Sequence, residues 1–245
     1  MSVKVNAMHK DSRSSGRKYR DLYYGDLSLL EVLGAELILT LTNSLPGALG
    51  LWLRGKLYPT LLGSVGRGVV FGRNITIRHP HKIRIGDNVL IDDNVVLDAK
   101  GETNHGILIG DNVYIGRNTI VYCKNGDIFI QSRANISANC QIFSANRLTV
   151  GEGTVMGAYT YLLSGGEYDY TSSVPFAEQS GKPSRGDLLI GPNCWIGSHV
   201  TVVDGASIGS HCVIGAGAVV THPIEADSMA LGVPARVVKS IGEGT

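Results

Sequence analysis

Residues 190–220 read IGPNCWIGSHVTVVDGASIGSHCVIGAGAVV and place an apolar residue at every sixth position. These anchors are Ile190, Ile196, Val202, Ile208, Ile214 and Val220. Because six is a multiple of two, the anchors point to the same side of extended strands, whereas a helical period would not keep them in register. The segment predicts short β-strands that are separated by regularly spaced corners.

The same spacing runs back to Val65 and arranges the anchors in groups of three. The earlier groups are Val65, Phe71 and Ile77; Ile85, Ile91 and Leu97; Ile109, Ile115 and Val121; Ile130, Ile136 and Ile142; and Val150, Met156 and Leu162. Gly usually follows the first and second anchors of a group and never follows the third, so the repeating unit is a coil of three hexapeptides. The fourth residue of these first and second hexapeptides is Asn or Gly in 10 of 14 cases, and both tolerate the positive φ of a sharp corner. The pattern predicts an all-β fold, a triangular parallel β-helix of about seven coils.

Extra residues between the groups fall at one corner, after the third strand of a coil. The longest insertion, residues 163–189, lies between the fifth and sixth coils and contains Gly165, Gly166, Pro175 and Pro183. A long loop on a rigid scaffold often carries function.

The composition excludes several classes of protein. The chain has 245 residues, 43% hydrophobic residues and a net charge of +1, which argues against disorder and gives no general reason to expect nucleic-acid binding. Its 4 Cys residues are too few for a disulfide scaffold. No apolar run is long enough for a spanning helix, and the first 20 residues do not resemble a signal peptide. We therefore expect a cytoplasmic protein.

The first 64 residues differ from the repeats. Residues 1–20 carry six Lys or Arg against one Asp and are predicted to form a basic flexible tail, and residues 21–64 are predicted to be helical. Ser28 and Glu31 match a capping box for a helix to about Thr42, and a second helix is expected from Pro46 to about Tyr58. These leucine-rich helices could cap the open end of the β-helix or pack in an oligomer. Alternatively, residues 1–60 could contact the inner face of a membrane peripherally. Residues 65–222 then form the β-helix, and residues 223–245 a C-terminal segment.

The segment from Ile190 to Val238 is similar to the closing segment of the hexapeptide-repeat acyltransferases. It resembles the galactoside and maltose O-acetyltransferases and the sugar O-acetyltransferases of capsule and exopolysaccharide synthesis. The resemblance covers residues 65–240. It implies a left-handed β-helix, a homotrimer with active sites between neighbouring subunits, and acetyl-CoA as donor substrate with no metal. The implied activity is transfer of an acetyl group to a hydroxyl of a sugar or glycan precursor in polysaccharide biosynthesis.

The resemblance also implies the donor site. The residues that match the acetyl-CoA groove of galactoside acetyltransferases are Ser198, Ala216, Thr221, His222, Arg236 and Lys239. Backbone amides at the glycine-rich corners would approach the pantetheine arm, and the two cations would bind phosphates.

The long loop departs from the family pattern. Family members usually carry a catalytic His there, which removes the proton of the acceptor hydroxyl, but residues 163–189 contain no His. Three alternatives remain open. Glu167 or Asp169 is the base, with Tyr168 as hydrogen-bonding partner; or His105, in the six-residue insertion after Leu97, is the base; or the protein has lost catalysis and only binds its ligand.

Aromatic residues suggest where an acceptor would bind. Trp195 and Tyr170 are candidates for the wall of a sugar pocket. A weaker alternative to acyl transfer is a zinc enzyme like the γ-class carbonic anhydrases, with His79, His81 and His105 as ligands, but the spacing does not match and no metal is expected. The Cys residues are expected to pack in the core.

Overall fold

The computed structural model describes residues 13–241. Three α-helices come first, α1 Ser15–Tyr23, α2 Leu29–Thr42 and α3 Gly47–Leu57. Short parallel strands follow. In chain order they are β1 Ser64–Val65, β2 Val70–Phe71, β3 Thr76–Arg78, β4 Ile83–Ile85, β5 Leu90–Ile91, β6 Val96–Asp98, β7 Ile107–Ile109, β8 Tyr114–Ile115, β9 Ile120–Cys123, β10 Asp127–Ile130, β11 Asn135–Ile136, β12 Gln141–Ser144, β13 Arg147–Val150, β14 Val155–Met156, β15 Tyr161–Ser164, β16 Leu188–Ile190, β17 Trp195–Ile196, β18 Thr201–Val202, β19 Val213–Ile214, β20 Val219–Val220, β21 Ser228–Leu231 and β22 Arg236–Ser240.

The strands form three sheets, one on each side of a prism. The first sheet has the order β1-β4-β7-β10-β13-β16, the second β2-β5-β8-β11-β14-β17-β19-β21-β22, and the third β20-β18-β15-β12-β9-β6-β3. All neighbouring strands are parallel except β21 and β22, which pair antiparallel. This is a β-solenoid of about seven turns and fits the predicted left-handed β-helix. We call the corner between the first and second sheets the first corner, that between the second and third the second corner, and that leading to the next coil the third corner.

The anchors fill the interior of the prism. Of the 21 anchors, 20 are buried, and only Val65, in the first coil, is half-buried. They belong to one continuous apolar core that runs the length of the β-helix. The six-residue period therefore predicted the core correctly, because each anchor occupies the inward-facing position of its strand.

The corners need a left-handed backbone. All 14 residues at the fourth position of the first and second hexapeptides have positive φ, between 53° and 72°. Most of them are Asn or Gly, as predicted, and His199 and His211 adopt the same conformation. At the second corner the amides of Asn74, Asn94 and Asn118 stack as a ladder, with Nδ2 to Oδ1 distances of 3.3 and 3.1 Å.

The helices cover the N-terminal end of the prism. The predicted capping box is present, since the Ser28 N–H donates to Glu31 Oε2 at 2.8 Å and α2 begins at the next residue. A buried arginine then joins α3 to the first coil: Arg54 Nε donates to the carbonyl of Phe71 at 3.0 Å, and Nη1 donates to the carbonyl of Thr42 at 2.9 Å. No helix within residues 13–241 has the length and hydropathy needed to cross a bilayer.

Two boundaries differ from the prediction. Residues 1–12 of the predicted flexible tail lie outside the described residues, but residues 15–20 belong to α1 and are not tail. They are ordered because the Tyr24 side chain is buried behind α1 and its hydroxyl donates to Glu36 at 2.6 Å. At the other end, strand pairing continues past residue 222, since Ile208 bridges to Ile224 and β19 pairs with β21. Residues 242–245 of the predicted C-terminal segment lie outside the described residues.

Candidate active site

The second corner of the last two coils stacks backbone directly on backbone. A Cβ atom on Gly197 would lie 2.6 Å from the amide nitrogen of Ala216, so only Gly fits between these rungs. The amide of Gly217 donates to the carbonyl of Ser198 at 2.8 Å. The predicted donor residues Ser198 and Ala216 therefore occupy equivalent positions on successive rungs, about 4.8 Å apart.

The backbone amides of Ser198 and Ala216 are available to a ligand. Neither N–H donates to an acceptor within the described part of the chain. At the equivalent position of the first coil the amide of Arg73 donates to Asp93 Oδ1 at 2.6 Å, whereas the amides of Arg117, Ala138 and Ala158 in the third to fifth coils have no acceptor within the described residues either. Two unpaired donors one rung apart suit an extended ligand that presents amide carbonyl oxygens at a similar spacing.

The other residues predicted for the acetyl-CoA groove, which are cationic or polar, lie at the same end of the prism. Thr221 and His222 follow β20, and Thr221 Oγ1 lies 2.8 Å from His222 Nδ1. Arg236 and Lys239 lie on β22, where both side chains are exposed. The turn before β22 is held to the last coil, because the amide of Ala235 donates to the carbonyl of Val219 at 2.8 Å.

The long loop leaves the third corner between β15 and β16 and is tied at both ends by Asp204. This carboxylate is fully buried and accepts hydrogen bonds from the amide of Gly165 at 2.7 Å, the amide of Arg185 at 2.7 Å and Ser184 Oγ at 2.6 Å. Arg185 in turn donates from Nη2 to Glu167 Oε1 at 2.6 Å. The first and last residues of the loop are therefore held together, and the Glu167 carboxylate is oriented by Arg185.

The other candidate residues of the loop differ in their surroundings. The Asp169 carboxylate accepts hydrogen bonds from the hydroxyl of Thr171 at 2.6 Å and lies 3.2 Å from Lys182 Nζ. These contacts, chiefly the Thr171 hydroxyl, hold the pKa of Asp169 below its usual value. A carboxylate that is stabilised in its charged form is a weaker proton acceptor, which argues against Asp169 as the base.

Aromatic side chains of the loop face solvent. Tyr168 packs edge-to-face on Phe176 with ring centroids 6.1 Å apart, and Lys182 Nζ lies 5.2 Å from the ring centroid of Tyr170. Both tyrosines are exposed, Tyr170 at 81%. They can form part of a surface for an acceptor but do not enclose one by themselves.

Two predicted residues do not meet the loop within one chain. His105 is exposed at the third corner before β7, three rungs or about 14 Å from the loop along the prism, with its amide bonded to Asp127 Oδ1 at 2.7 Å. Trp195 is 63% exposed and projects from the second sheet, so it is not a core residue and does not share a face with Tyr170. A joint site with the loop would require a second subunit for both residues.

Asp204 and Arg185 were missed by sequence reasoning. Asp204 follows the last apolar residue of a third strand and precedes Gly205, which reads as an ordinary turn. Its role depends on a partner 39 positions earlier, Gly165, and no local pattern shows that contact. The only available signal was an acidic residue at the corner directly above the long insertion.

The Cys and His residues are poorly placed for thiol or metal chemistry. All four Cys side chains are buried, and burial raises the pKa of Cys140, Cys194 and Cys212, which disfavours the reactive thiolate. Within residues 13–241 no three His, Cys, Asp or Glu side chains are arranged to hold a metal ion, His79, His81 and His105 included.

The sequence is similar to those of known proteins. The family model described as bacterial transferase hexapeptide (six repeats) matches residues 187–222. Galactoside O-acetyltransferase of Escherichia coli K12 is 31% identical over 179 residues, which covers 73% of this chain and 54% of that protein. The chain spans about half the length of the first curated relatives it matches.

Solved structures share the architecture. AntD, an N-acyltransferase from Bacillus cereus in complex with dTDP and 3-hydroxybutyryl-CoA, has a TM-score of 0.51 and 24% identity, covering 73% of this chain and 83% of that one. A single-residue variant of AntD in complex with dTDP and coenzyme A has a TM-score of 0.53 and 24% identity, covering 76% and 87% of the two chains. At this identity the likeness shows a shared fold. The chain is thus similar to hexapeptide-repeat bacterial transferases over residues 187–222 and to galactoside O-acetyltransferase over most of its own length, and it shares its fold with AntD.

Proposed function

We propose that the protein is a CoA-dependent O-acyltransferase that moves an acetyl group from acetyl-CoA to a hydroxyl of a sugar or glycan precursor. The observation that carries this proposal is the pair of unpaired amides at Ser198 and Ala216, on the same end of the prism as Arg236 and Lys239. The amides suit the carbonyl oxygens of the pantetheine arm, and the cations suit the phosphates of coenzyme A. The similarity to galactoside O-acetyltransferase supports the same reading.

The transfer needs one proton acceptor. The acceptor hydroxyl oxygen attacks the thioester carbonyl carbon, its proton passes to a base, the C–S bond breaks, and coenzyme A leaves as the thiol. Glu167 is the preferred base because Arg185 fixes the position of its carboxylate on the loop. His105 of a neighbouring subunit is the alternative.

The donor site is tested by Arg236→Ala. We expect coenzyme A to raise the Tm of the wild-type chain, and the variant to bind coenzyme A about tenfold more weakly, because one charge-assisted hydrogen bond contributes about 1.5–3 kcal/mol. Thermal shift with coenzyme A measures the affinity, and thiol release from acetyl-CoA over a panel of sugars measures turnover. Arg67→Ala, an exposed arginine in the first coil, is the matched control and should behave as wild type.

Three outcomes separate the candidate functions. Binding with thiol release supports the acyltransferase. Binding without thiol release for any sugar favours a non-catalytic binding protein, which the loop without His already suggests. Absence of any thermal shift with coenzyme A in the wild-type chain contradicts both.

We also propose that the protein acts as a homotrimer. The outer face of the second sheet carries a column of apolar side chains, among them Val70, Leu90, Val155 and Trp195, each between 37% and 63% exposed. A second copy of the chain would cover such a column. It would also bring His105 or Trp195 of one subunit toward the loop of another.

Peripheral membrane contact is the last part of the proposal. Leu30, Leu33, Leu37 and Leu41 of α2, with Leu49 and Trp52 of α3, form what we call the leucine surface. These six side chains are 56% to 82% exposed, while the opposite side of α2 is packed against the rest of the chain through Val32 and Ala35. The first 20 residues of the sequence are basic, and an apolar surface together with basic residues suits the cytoplasmic side of an anionic bilayer.

The double substitution Leu33→Ser and Leu37→Ser tests the membrane contact. We expect the full chain to co-sediment with vesicles of phosphatidylcholine and phosphatidylglycerol, and the variant to lose at least about tenfold in partitioning, because two leucines no longer insert. Leu189→Ser, an exposed leucine on the first sheet, is the control and should bind like wild type. Equal partitioning of both variants, or no sedimentation of the wild-type chain, would contradict the proposal.

A further inference from the structure

The outer face of the third sheet carries an open groove that the donor residues do not occupy. It encloses about 340 Å³ and spans the first four coils. Every coil adds polar side chains to its lining: Thr76 and Arg78 from the first, Asp98 from the second, Tyr122 from the third and Gln141 from the fourth. Outward-facing Val96 and Ile120 lie between them.

The third sheet lies between the two halves of the proposed active site. One of its edges is the second corner, where Ser198 and Ala216 present their amides. Its other edge is the third corner, where the loop with Glu167 leaves the prism. An acceptor that reaches both the thioester and the loop must therefore lie along this sheet.

Aromatic rings join the groove to the loop. The rings of Tyr122 and Phe143 are 4.7 Å apart, and Tyr161 lies on β15, one rung beyond the strand of Phe143. A Cβ atom on Gly166 would lie 3.1 Å from the Phe143 ring, so the loop begins on that ring. A continuous surface thus runs from the groove to the residue beside Glu167.

The chemistry of the groove suits sugar hydroxyls. Arg78 and Asp98 lie 3.4 Å apart and largely compensate each other's charge, which argues against a strongly charged ligand. A carboxylate, a guanidinium, an amide and a phenol offer both donors and acceptors to hydroxyl groups. Apolar and aromatic side chains between them suit the C–H faces of sugar rings.

We infer that the groove binds a linear glycan, so that the acceptor is a chain of sugars rather than a single one. The reactive sugar lies at the loop, and the following units run down the third sheet toward α1. From the fifth coil to the second the sheet spans three rungs, about 14 Å, which exceeds one sugar ring. The lower end of the groove meets Tyr23 of α1, whose ring lies 4.4 Å from the Arg78 guanidinium. This inference rests on the proposed function, because it assumes that the loop is where the acceptor reacts.

A glycan array tests the inference with the full-length chain. The probes are immobilised linear glycans of one to six sugars, and the proteins are wild type, Gln141→Ala and the control Thr149→Ala, which lies on the outer face of the first sheet. We expect the wild-type chain and the control to retain oligosaccharides but not monosaccharides, and Gln141→Ala to lose about tenfold in retention. Coenzyme A should raise the Tm of all three proteins equally.

Other outcomes contradict the inference that the groove binds a linear glycan. No glycan retained, equal retention of single sugars and chains, or unchanged retention by Gln141→Ala would each contradict it. If Gln141→Ala changes the mass of the particle by light scattering, the third sheet is a subunit contact instead. If the thermal shift with coenzyme A and the thiol release persist in these cases, the proposed function still holds. If the wild-type chain shows neither, the proposed function is contradicted.

Discussion

Replacing Glu167 with Gln is expected to lower kcat about a hundredfold or more, the effect of removing a general base. The variant keeps the shape of the side chain and its contact with Arg185 but can no longer accept a proton. Because Glu167 lies on the loop and not at the Ser198–Ala216 corner, the affinity for coenzyme A should not change. Thiol release from acetyl-CoA with a saturating acceptor measures kcat, and thermal shift measures coenzyme A binding.

Two further variants complete this experiment. Asp169→Asn is the matched control and should retain most of the activity, because Asp169 is engaged by Thr171 and Lys182. His105→Ala tests the alternative base. Full activity of Glu167→Gln together with an inactive His105→Ala would contradict our choice and assign proton removal to the histidine of a neighbouring subunit.

The fold could be predicted from the sequence because each inward anchor and each left-handed corner is determined within six residues. The capping box at Ser28 was readable for the same reason. Contacts between distant segments could not be predicted in this way. Arg54 binds the carbonyl of Phe71 from 17 positions away, and nothing local marks it as a buried guanidinium.

Only part of the candidate site could be predicted from the sequence. The stacking of Ser198 on Ala216 follows directly from the repeat, and the structure shows it. Trp195 and Tyr170 stay candidates for the acceptor pocket; Trp195 precedes an inward anchor and therefore projects outward from the second sheet. The alternation of strand side chains already contained that information. The groove on the third sheet was not predicted, because insertions of different length separate its polar residues along the chain.

Asp204→Asn is expected to release the loop and abolish most of the turnover without unfolding the β-helix. The buried carboxylate accepts from two backbone amides, Gly165 and Arg185, and from one hydroxyl. An Asn side chain of the same size must turn its NH₂ group toward at least one of these donors, which leaves buried polar groups unpaired at a cost of about 1–3 kcal/mol each. Once Arg185 is freed, Glu167 loses its fixed position, and a base that is misplaced by about 1 Å can cost about a hundredfold in rate.

Hydrogen exchange and kinetics together decide this prediction. Amide exchange of residues 165–187 should accelerate strongly, kcat should fall, and both the exchange of the prism and the affinity for coenzyme A should stay near wild type. Asp187→Asn is the matched control, because Asp187 accepts a hydrogen bond from Asn146 Nδ2 at 3.1 Å on the exposed surface and should tolerate the amide. Faster amide exchange of the loop with an unchanged kcat would show that the loop does not take part in the reaction, since its order and its chemistry would then be independent. Unchanged exchange in Asp204→Asn would mean that the remaining contacts between Glu167, Lys182 and Arg185 hold the loop by themselves.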